Sequence, residues 1–507
     1  MEGINSPAGS SAAPRVMTQS RPTTDNATPL DSRGEHEAGS LLGNLTYLGL
    51  ARVAAMVMNL IATTSLARAV GSANYGIIVF AAAFIEYFTL FASFGFDTYM
   101  VRAIAADSER REKIVAAALI VRMALAVLVL PVIALFLLIM EFAAPVEIVI
   151  AITTISVFFH ALGLTGVYAG LQRMQTVAAR EFAWAFLNMV AILVLVRTND
   201  DLYLAAVISI ATTFFTNATI LAGYAREFGL PRFAVPLRDI IAIARESSAF
   251  FFYLLLNSLV VNYKFVVLGF TQHEAVTGVF AAAWKLFLLA NIPSTLIATV
   301  FLPRITSQTT SHGRHDSTNA FMDMMLLCAV PIAIFGSLHG GQLIALLFGG
   351  GFQNSTLAVS MLSVSASVVI VNTILSTVLI AVGRSGAPVK AIGLGALTSV
   401  AADSLLIRFY GGTGAAAASL IAQIVILATL VAQRPDVGLK HMASFVARCA
   451  FGLTAAIALT AFAAHLLGSS AMENPLWLGL TLTLALATLP LFGIDPLEQL
   501  RRLARMR

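Results

Sequence analysis

The sequence has little charge and almost no cysteine. Only 11% of its 507 residues are charged, whereas 58% are apolar, and soluble domains carry about 25% charged residues. So few charges cannot cover the surface of a soluble protein of this length. The two cysteines, Cys328 and Cys449, lie in apolar segments and match neither a disulfide framework nor a zinc-binding spacing. This composition argues against a soluble enzyme, a nucleic-acid-binding protein or a secreted disulfide-rich protein, and we expect neither a metal nor a cofactor.

A secretory signal is also lacking. Residues 1–40 are rich in Ser, Thr, Pro, Gly and Ala, with charges interspersed and no continuous apolar stretch. Because so little apolar surface is available to fold this segment, we expect a disordered tail that stays in the cytosol.

Long apolar stretches dominate the rest of the chain. From residue 41 onward they alternate with short polar breaks, and each is long enough for a helix to cross about 30 Å of hydrocarbon. The pattern predicts an all-α integral membrane protein with about fourteen transmembrane helices. The predicted spans are 43–68, 75–100, 114–140, 146–170, 177–196, 202–224, 246–269, 276–301, 321–347, 356–382, 388–407, 414–433, 442–467 and 475–493.

The distribution of Lys and Arg orients these spans. With the N-terminus in the cytosol, twenty cations fall on the cytosolic side and three on the other, in agreement with the positive-inside rule. Both termini are therefore predicted to be cytoplasmic. The predicted outer loops at 348–355 and 468–474 are too short to form a catalytic domain, so we do not expect an enzyme.

The chain divides after six predicted helices. A linker at 225–244 contains two prolines, and the segment that begins at Gly76 is similar to the one that begins at Gly278. This offset of 202 residues predicts a duplication. It gives two six-helix bundles, 41–224 and 245–433, which share one orientation because an even number of helices restores the original side. Residues 434–493 add two helices and 494–507 form a basic cytosolic tail.

Basic residues inside predicted spans mark candidate binding sites. An ionisable side chain at the centre of a membrane helix costs about 2.5–3.5 kcal/mol on insertion scales and is seldom kept without a function. Arg52 and Lys285 lie near mid-depth in different halves of the chain, and we expect them to line a shared polar cavity. The four basic candidates for this cationic cavity are Arg52, Lys285, Arg122 and Lys264.

Some of these residues have simpler interpretations. Lys264 lies nearer the outer end of its span, where the side chain could reach the membrane interface. Arg122 could reach the inner interface or neutralise Glu86, and Asp403 could pair with Arg408. Glu86 and Asp403 are also the candidates for binding a coupling proton or sodium ion. A cavity in which cations predominate favours an anionic substrate, because Arg and Lys bind phosphate oxygens well.

Short motifs between residues 41 and 435 carry a family resemblance. They include Leu42-Gly43-Asn44 and the segments 67–71, 94–98, 378–384 and 411–418. In their order and spacing they resemble the polysaccharide-unit (Wzx-type) flippases of the multidrug/oligosaccharidyl-lipid/polysaccharide exporter superfamily. The resemblance implies two six-helix bundles in a V-shaped arrangement and alternating access across the bacterial inner membrane.

The resemblance also implies a substrate. It is an oligosaccharide repeat unit linked to undecaprenyl pyrophosphate, used for O-antigen, capsule or exopolysaccharide synthesis. The pyrophosphate would bind to cavity cations such as Arg52 and Lys285. Membrane lipid, a polysaccharide polymerase and chain-length machinery are the implied partners, and nucleic acid is not.

Three other functions fit the sequence less well or stay open beside this one. A lipid II flippase suits the predicted count of fourteen helices and stays open. An ion-coupled exporter of small molecules belongs to the same superfamily, but drug exporters of this kind carry an acidic residue in the first helix, where this chain has Arg52. A membrane glycosyltransferase or polymerase is disfavoured because the sequence contains neither a nucleotide-sugar domain nor a large outer loop.

Overall fold

The computed structural model describes residues 31–308 and 311–433, together with residues 443, 444, 447, 451 and 458. These residues form fourteen α-helices and three short 3-10 turns, and none of them forms a β-strand. The helices are α1 (Asp31–Ser93), α2 (Phe96–Ala106), α3 (Arg111–Ile139), α4 (Ala144–Thr154), α5 (Ser156–Ala161), α6 (Thr165–Gly170), α7 (Met174–Leu195), α8 (Leu202–Phe228), α9 (Leu237–Thr271), α10 (Glu274–Ala290), α11 (Ile292–Ser307), α12 (Ser311–Phe348), α13 (Thr356–Ala381) and α14 (Gly386–Ala432).

Ten helical stretches of the described chain are long and apolar enough to cross a membrane. Two of them, Val53–Ala106 with 54 residues and Gly386–Ala432 with 47, greatly exceed the roughly 20 residues that one crossing needs. Each is interrupted at a glycine with positive φ, Gly71 in α1 and Gly411 in α14, a conformation that side chains with a Cβ rarely adopt. Both glycines fall between predicted spans.

The first twelve predicted spans therefore lie in helical parts of the chain, although three of them, 75–100, 146–170 and 276–301, are interrupted. The last two, 442–467 and 475–493, lie almost entirely outside the described residues, so the total of fourteen stays a prediction. The non-helical part of the predicted linker is short, because α8 ends at Phe228 and α9 begins at Leu237.

The structure differs from the predictions at several places. α1 begins at Asp31, so residues 31–40 are helical although the sequence predicts disorder there. The span predicted at 75–100 is interrupted at Phe94 and Gly95, and the span predicted at 276–301 is interrupted at Asn291. The span predicted at 146–170 is divided into α4, α5 and α6. Its Thr153 and Thr154 hydroxyls donate to carbonyls one turn earlier, a bond that bends helices.

The apolar core crosses the boundary between the two halves. One cluster of buried residues contains only N-terminal positions between Ile77 and Ala206, and another contains only C-terminal positions between Ile297 and Leu430. A third and larger cluster joins Tyr75 of α1 to Trp284 of α10 and Phe348 of α12. The two halves therefore pack against each other through apolar side chains.

Two glycines bring the halves together at the predicted outer end. A Cβ on Gly76 would lie 2.8 Å from the carbonyl carbon of Glu274 and 2.9 Å from the amide nitrogen of Gly278. A Cβ on Gly278 would lie 2.9 Å from the carbonyl carbon of Ser72 and 3.0 Å from the amide nitrogen of Gly76. Backbone thus packs directly on backbone, and only glycine fits at either position.

An arginine reinforces this contact. Nε of Arg68 in α1 donates to the carbonyl oxygen of Leu347 at 2.9 Å, and Nη2 donates to that of Leu346. The last carbonyls of a helix have no partner within the helix and carry the negative end of its dipole. Arg68 therefore caps α12 from the other half of the molecule.

The opposite end of the same boundary is also held. Lys113 of α3 pairs with Asp239 of α9 at 2.7 Å, and the Tyr99 hydroxyl donates to Glu246 at 2.9 Å. The first half of α9 therefore packs on the N-terminal helices at the predicted inner end. The V-shaped arrangement of two bundles stays a prediction from the resemblance.

Candidate functional site

Lys285 is a deeply placed cation without a protein partner among the described residues. It lies eleven residues after the start of α10, about 16 Å along the helix at 1.5 Å per residue. The side chain is half-buried and protein surrounds it on most sides. No described residue donates to it, accepts from it or forms an ion pair with it. Within the described part of the chain, the charge of this ammonium group is therefore not compensated.

Lys264 lies in a different environment. Its side chain is fully buried in α9, and Nζ donates to the carbonyl of Val260 and lies 4.6 Å from the centre of the Trp284 ring. The buried carboxylate of Asp403 in α14 is close enough to attract this charge. Lys264 thus points back along its helix and does not reach the predicted outer interface in this structure.

Asp403 is held by its own helix. Its Oδ2 accepts a hydrogen bond of 2.8 Å from the Ser399 hydroxyl, whereas Oδ1 has no hydrogen-bond partner in the described chain. Tyr263, which precedes Lys264 in α9, and Ser404, which follows Asp403 in α14, share a hydrogen bond of 2.9 Å. The structure therefore brings together Lys264 and Asp403, which the sequence suggested for separate roles, and no ion pair between Asp403 and Arg408 is seen.

Glu86 lies on α1 beside this region. Its side chain is accessible although protein surrounds most of it, as expected for a residue that lines an internal cavity. The neighbouring Tyr87 donates to the Ser258 carbonyl of α9 at 3.2 Å and lies near enough to Asp403 to interact with its charge. Glu86 thus lies at the boundary between the two halves.

Arg122 pairs with Asp97 rather than with Glu86. Its fully buried guanidinium lies 2.5 Å from the Asp97 carboxylate and donates to the Gly163 carbonyl at 2.7 Å. Gly163 lies between α5 and α6, where the interrupted helix leaves carbonyls without helical partners. Arg122 therefore supports the break in the fourth predicted span.

Two further polar residues lie near Arg122. Arg180 lies six residues after the start of α7 and donates to Asn217 at 2.9 Å. His160 of α5 lies within electrostatic range of both arginines. The sequence signal for this placement of Arg180 is its position inside the predicted span 177–196. This group is internally paired and lies within the N-terminal helices.

The remaining candidate, Arg52, lies in α1, but its side chain is outside the described part of the structure. Among the described residues, no group of three or more His, Cys, Asp or Glu side chains could hold a metal ion. Among the described candidates, Lys285 is a cation without a partner and Glu86 is an accessible carboxylate. The charges of Lys264, Asp403 and Arg122 are compensated by neighbouring groups.

Comparisons with known proteins place these residues in a family context. A family profile described as "Polysaccharide biosynthesis protein" matches residues 41–308. No curated protein matches the sequence.

Solved membrane transporters share the fold. The chain is similar to a lipid II flippase, MurJ, in an inward closed conformation, with a TM-score of 0.72 and 12% identity over 88% of this chain and 98% of that one. It is also similar to an inward-facing multidrug resistance MATE family transporter of the MOP superfamily, with a TM-score of 0.61 and 14% identity over 77% of this chain and 95% of that one. A eukaryotic MATE transporter, AtDTX14, gives a TM-score of 0.52 and 13% identity over 80% and 98% of the two chains. At these identities the likeness shows the fold alone.

Proposed function

The chain belongs to the polysaccharide biosynthesis protein family, and from this membership we propose that it is a flippase for oligosaccharide repeat units linked to undecaprenyl pyrophosphate. It would move them across the bacterial inner membrane by alternating access, for O-antigen, capsule or exopolysaccharide synthesis. A polysaccharide polymerase and chain-length machinery would then use the product.

The observation that carries this proposal is Lys285. A buried or half-buried cation in a membrane helix costs free energy unless something compensates its charge, and no described residue does so. A pyrophosphate would supply the missing negative charge and several oxygen acceptors for the ammonium protons. The unpartnered state of Lys285 therefore favours an anionic head group as the substrate.

The proposed movement follows from the cost of transferring charge. A pyrophosphate cannot cross bare hydrocarbon, because the loss of its hydration is prohibitively costly. In our proposal the head group enters between the two halves, Lys285 and Arg52 replace part of the lost water, and the polyprenyl chain stays in lipid. Arg122 and Lys264 already have partners in this structure, so we assign them supporting roles in this conformation.

We further propose Glu86 as the better candidate for a coupling ion. Its carboxylate is accessible and unpartnered among the described residues, so it can take up a proton or sodium ion. Binding of a cation at Asp403 would instead compete with Lys264 for the same carboxylate. Sodium or proton dependence of transport that survives Glu86→Gln would contradict this choice.

The test is accumulation of the substrate in cells. After deletion of the gene, undecaprenyl-pyrophosphate-linked oligosaccharide should accumulate on the inner leaflet, and the wild-type protein should clear it. Lys285→Ala, alone and with Arg52→Ala, should fail to clear it at equal protein level. Lys390→Ala is the matched control, because Lys390 is exposed at the start of α14.

Other outcomes identify the alternatives. Accumulation of lipid II, without the oligosaccharide intermediate, would indicate a lipid II flippase. Loss of resistance to a cationic drug, without accumulation of either lipid, would indicate an ion-coupled exporter. Full activity of the Lys285→Ala protein would show that transport does not need this cation, and it would contradict the argument that Lys285 binds the anionic head group.

A further inference from the structure

A pocket of about 550 Å³ opens at the predicted outer end of the C-terminal helices. It lies between the end of α9, the start of α10, the segment 351–358 and the turn at Gly411, and one residue of the other half, Ser72, also lines it. No charged residue lines this pocket. Its size falls in the range typical of small-molecule sites, about 300–1,000 Å³.

Two aromatic rings stand at the edge of the pocket. Phe409 and Tyr410 line it and are 70% and 67% exposed. They occupy the last turn before Gly411, where the positive φ reverses the chain. The Gln272 amide donates to the Ile407 carbonyl at 3.1 Å and thereby ties the end of α9 to this turn. The aromatic pair is therefore held at the pocket by the backbone.

Neutral hydrogen-bonding groups complete the lining. The Asn354 side chain is exposed, and neither its amide nor the Ser72 hydroxyl has a hydrogen-bond partner among the described residues. An amide offers two donors and an acceptor, and a hydroxyl offers one donor and two acceptors. Together they suit a ligand with many neutral donors and acceptors.

The pocket lies next to the place where the two halves meet. Ser72 is the residue whose carbonyl packs on Gly278, and Val276 and Val279 of the pocket flank that glycine in α10. The pocket therefore borders the boundary between the halves at its predicted outer end.

We propose that this pocket binds a sugar residue of the transported glycan as it emerges on the outer side. Pyranose rings present C–H groups that pack on the negative faces of aromatic rings, and their hydroxyls can bond to Asn354 and Ser72. The pyrophosphate does not bind here, because the pocket offers it no cation. This inference rests on the proposed function, and it adds a second contact, to the glycan, apart from the contact of Lys285 with the pyrophosphate.

A neighbouring crevice is also unsuited to the pyrophosphate. It has a volume of about 310 Å³ and lies at the other side of α10, where Glu141 and Glu274 line it. Two carboxylates repel a pyrophosphate. These two cavities at the predicted outer end therefore favour neutral sugars over the phosphate group.

The test compares two lipids on the purified full-length protein in lipid nanodiscs. One is undecaprenyl pyrophosphate, and the other is the undecaprenyl-pyrophosphate-linked oligosaccharide extracted from the deletion strain. Tyr410→Ala and Asn354→Ala should each raise the Kd for the glycosylated lipid about five- to tenfold, the loss expected for one ring contact or one hydrogen bond. The Kd for undecaprenyl pyrophosphate should stay unchanged. Tyr203→Ala is the matched control, because Tyr203 is a 38% exposed aromatic residue at the predicted outer end of α8.

The outcomes separate this inference from the proposed function. If both variants bind the two lipids as the wild type does, or weaken both equally, the pocket does not bind sugar. If Tyr203→Ala has the same effect as Tyr410→Ala, the aromatic residues act only as an interfacial belt and the inference is overturned. If the wild-type protein binds neither lipid, the proposed function itself fails, and this inference fails with it.

Discussion

Replacing Gly76 by alanine should open the predicted outer end. The new Cβ would lie 2.8 Å from the Glu274 carbonyl carbon and 2.9 Å from the Gly278 nitrogen, whereas carbon atoms in ordinary contact stay about 3.5 Å or more from other heavy atoms. The Glu274 carbonyl oxygen would be nearer still, so the two helices must separate by more than about 0.7 Å. Overpacking of this kind costs about 1–3 kcal/mol. Because separation relieves it, the open population should rise about five- to hundredfold, at a factor of ten per 1.4 kcal/mol.

The assay is thiol labelling from the predicted outer side. Thr277 is fully buried beside this contact, so Thr277→Cys reports its opening, in a background with Cys328 and Cys449 changed to serine. A membrane-impermeant maleimide should react about five- to hundredfold faster when Gly76→Ala is added, provided that opening is fast relative to labelling. Gly393→Ala is the control, because no atom lies within 4 Å of the Cβ position of this helical glycine. Equal labelling rates for Gly76→Ala and its parent would refute the reasoning.

Three further predictions concern buried charges and the capping arginine. Arg122→Met should lower the free energy of unfolding by about 3–5 kcal/mol, as for other broken buried pairs. Asp97→Asn should lower it less, because Asp97 is 51% exposed. Thermal unfolding in detergent measures both variants, and equal losses of stability would contradict this expectation. Lys264→Met and Asp403→Asn should each destabilise the protein, and the double variant should be about 1–3 kcal/mol more stable than the sum predicts; strict additivity would show that the two charges do not interact. Arg68→Ala should speed maleimide labelling of the Thr277→Cys protein about threefold to tenfold, because it removes one or two hydrogen bonds that hold the halves together. An unchanged labelling rate would mean that Arg68 does not keep the predicted outer end closed.

The transmembrane spans could be predicted from the sequence because they depend on length and hydropathy alone. Twelve apolar stretches lie in helical parts of the chain, and the turns at Gly71 and Gly411 fall in the polar breaks between them. The break of the fourth span could not be predicted in the same way, because that span contains no internal proline. Thr153 and Thr154 donate to backbone carbonyls one turn earlier at its first interruption, a bond that bends helices, and Gly163 lies at its second.

The depth of a charge could also be predicted, but its partner could not. Counting residues along a helix gives the depth of Arg122, whereas its partner depends on which side of the helix faces which neighbour. The sequence therefore suggested Glu86 at a similar depth, and the structure selects Asp97. In the same way, Lys264 and Asp403 are far apart in the chain and meet only through the packing of α9 on α14. Lys285 could be identified as a candidate because its depth alone makes it costly.

The glycine contact has the symmetry of a dimer. Gly76 packs on the carbonyl of Glu274, and Gly278 packs on the carbonyl of Ser72. Gly278 lies 202 residues after Gly76, and Glu274 lies 202 residues after Ser72. In an isologous interface between identical subunits, one position of the first subunit contacts another position of the second, and the same two positions meet again with the subunits exchanged. The contacts of Gly76 and Gly278 have this reciprocal pattern. A six-helix chain carrying one such serine and one such glycine could form this contact with a second copy of itself. After a duplication of such a chain, both positions would have to remain glycine, because a larger residue at either one would separate the two halves.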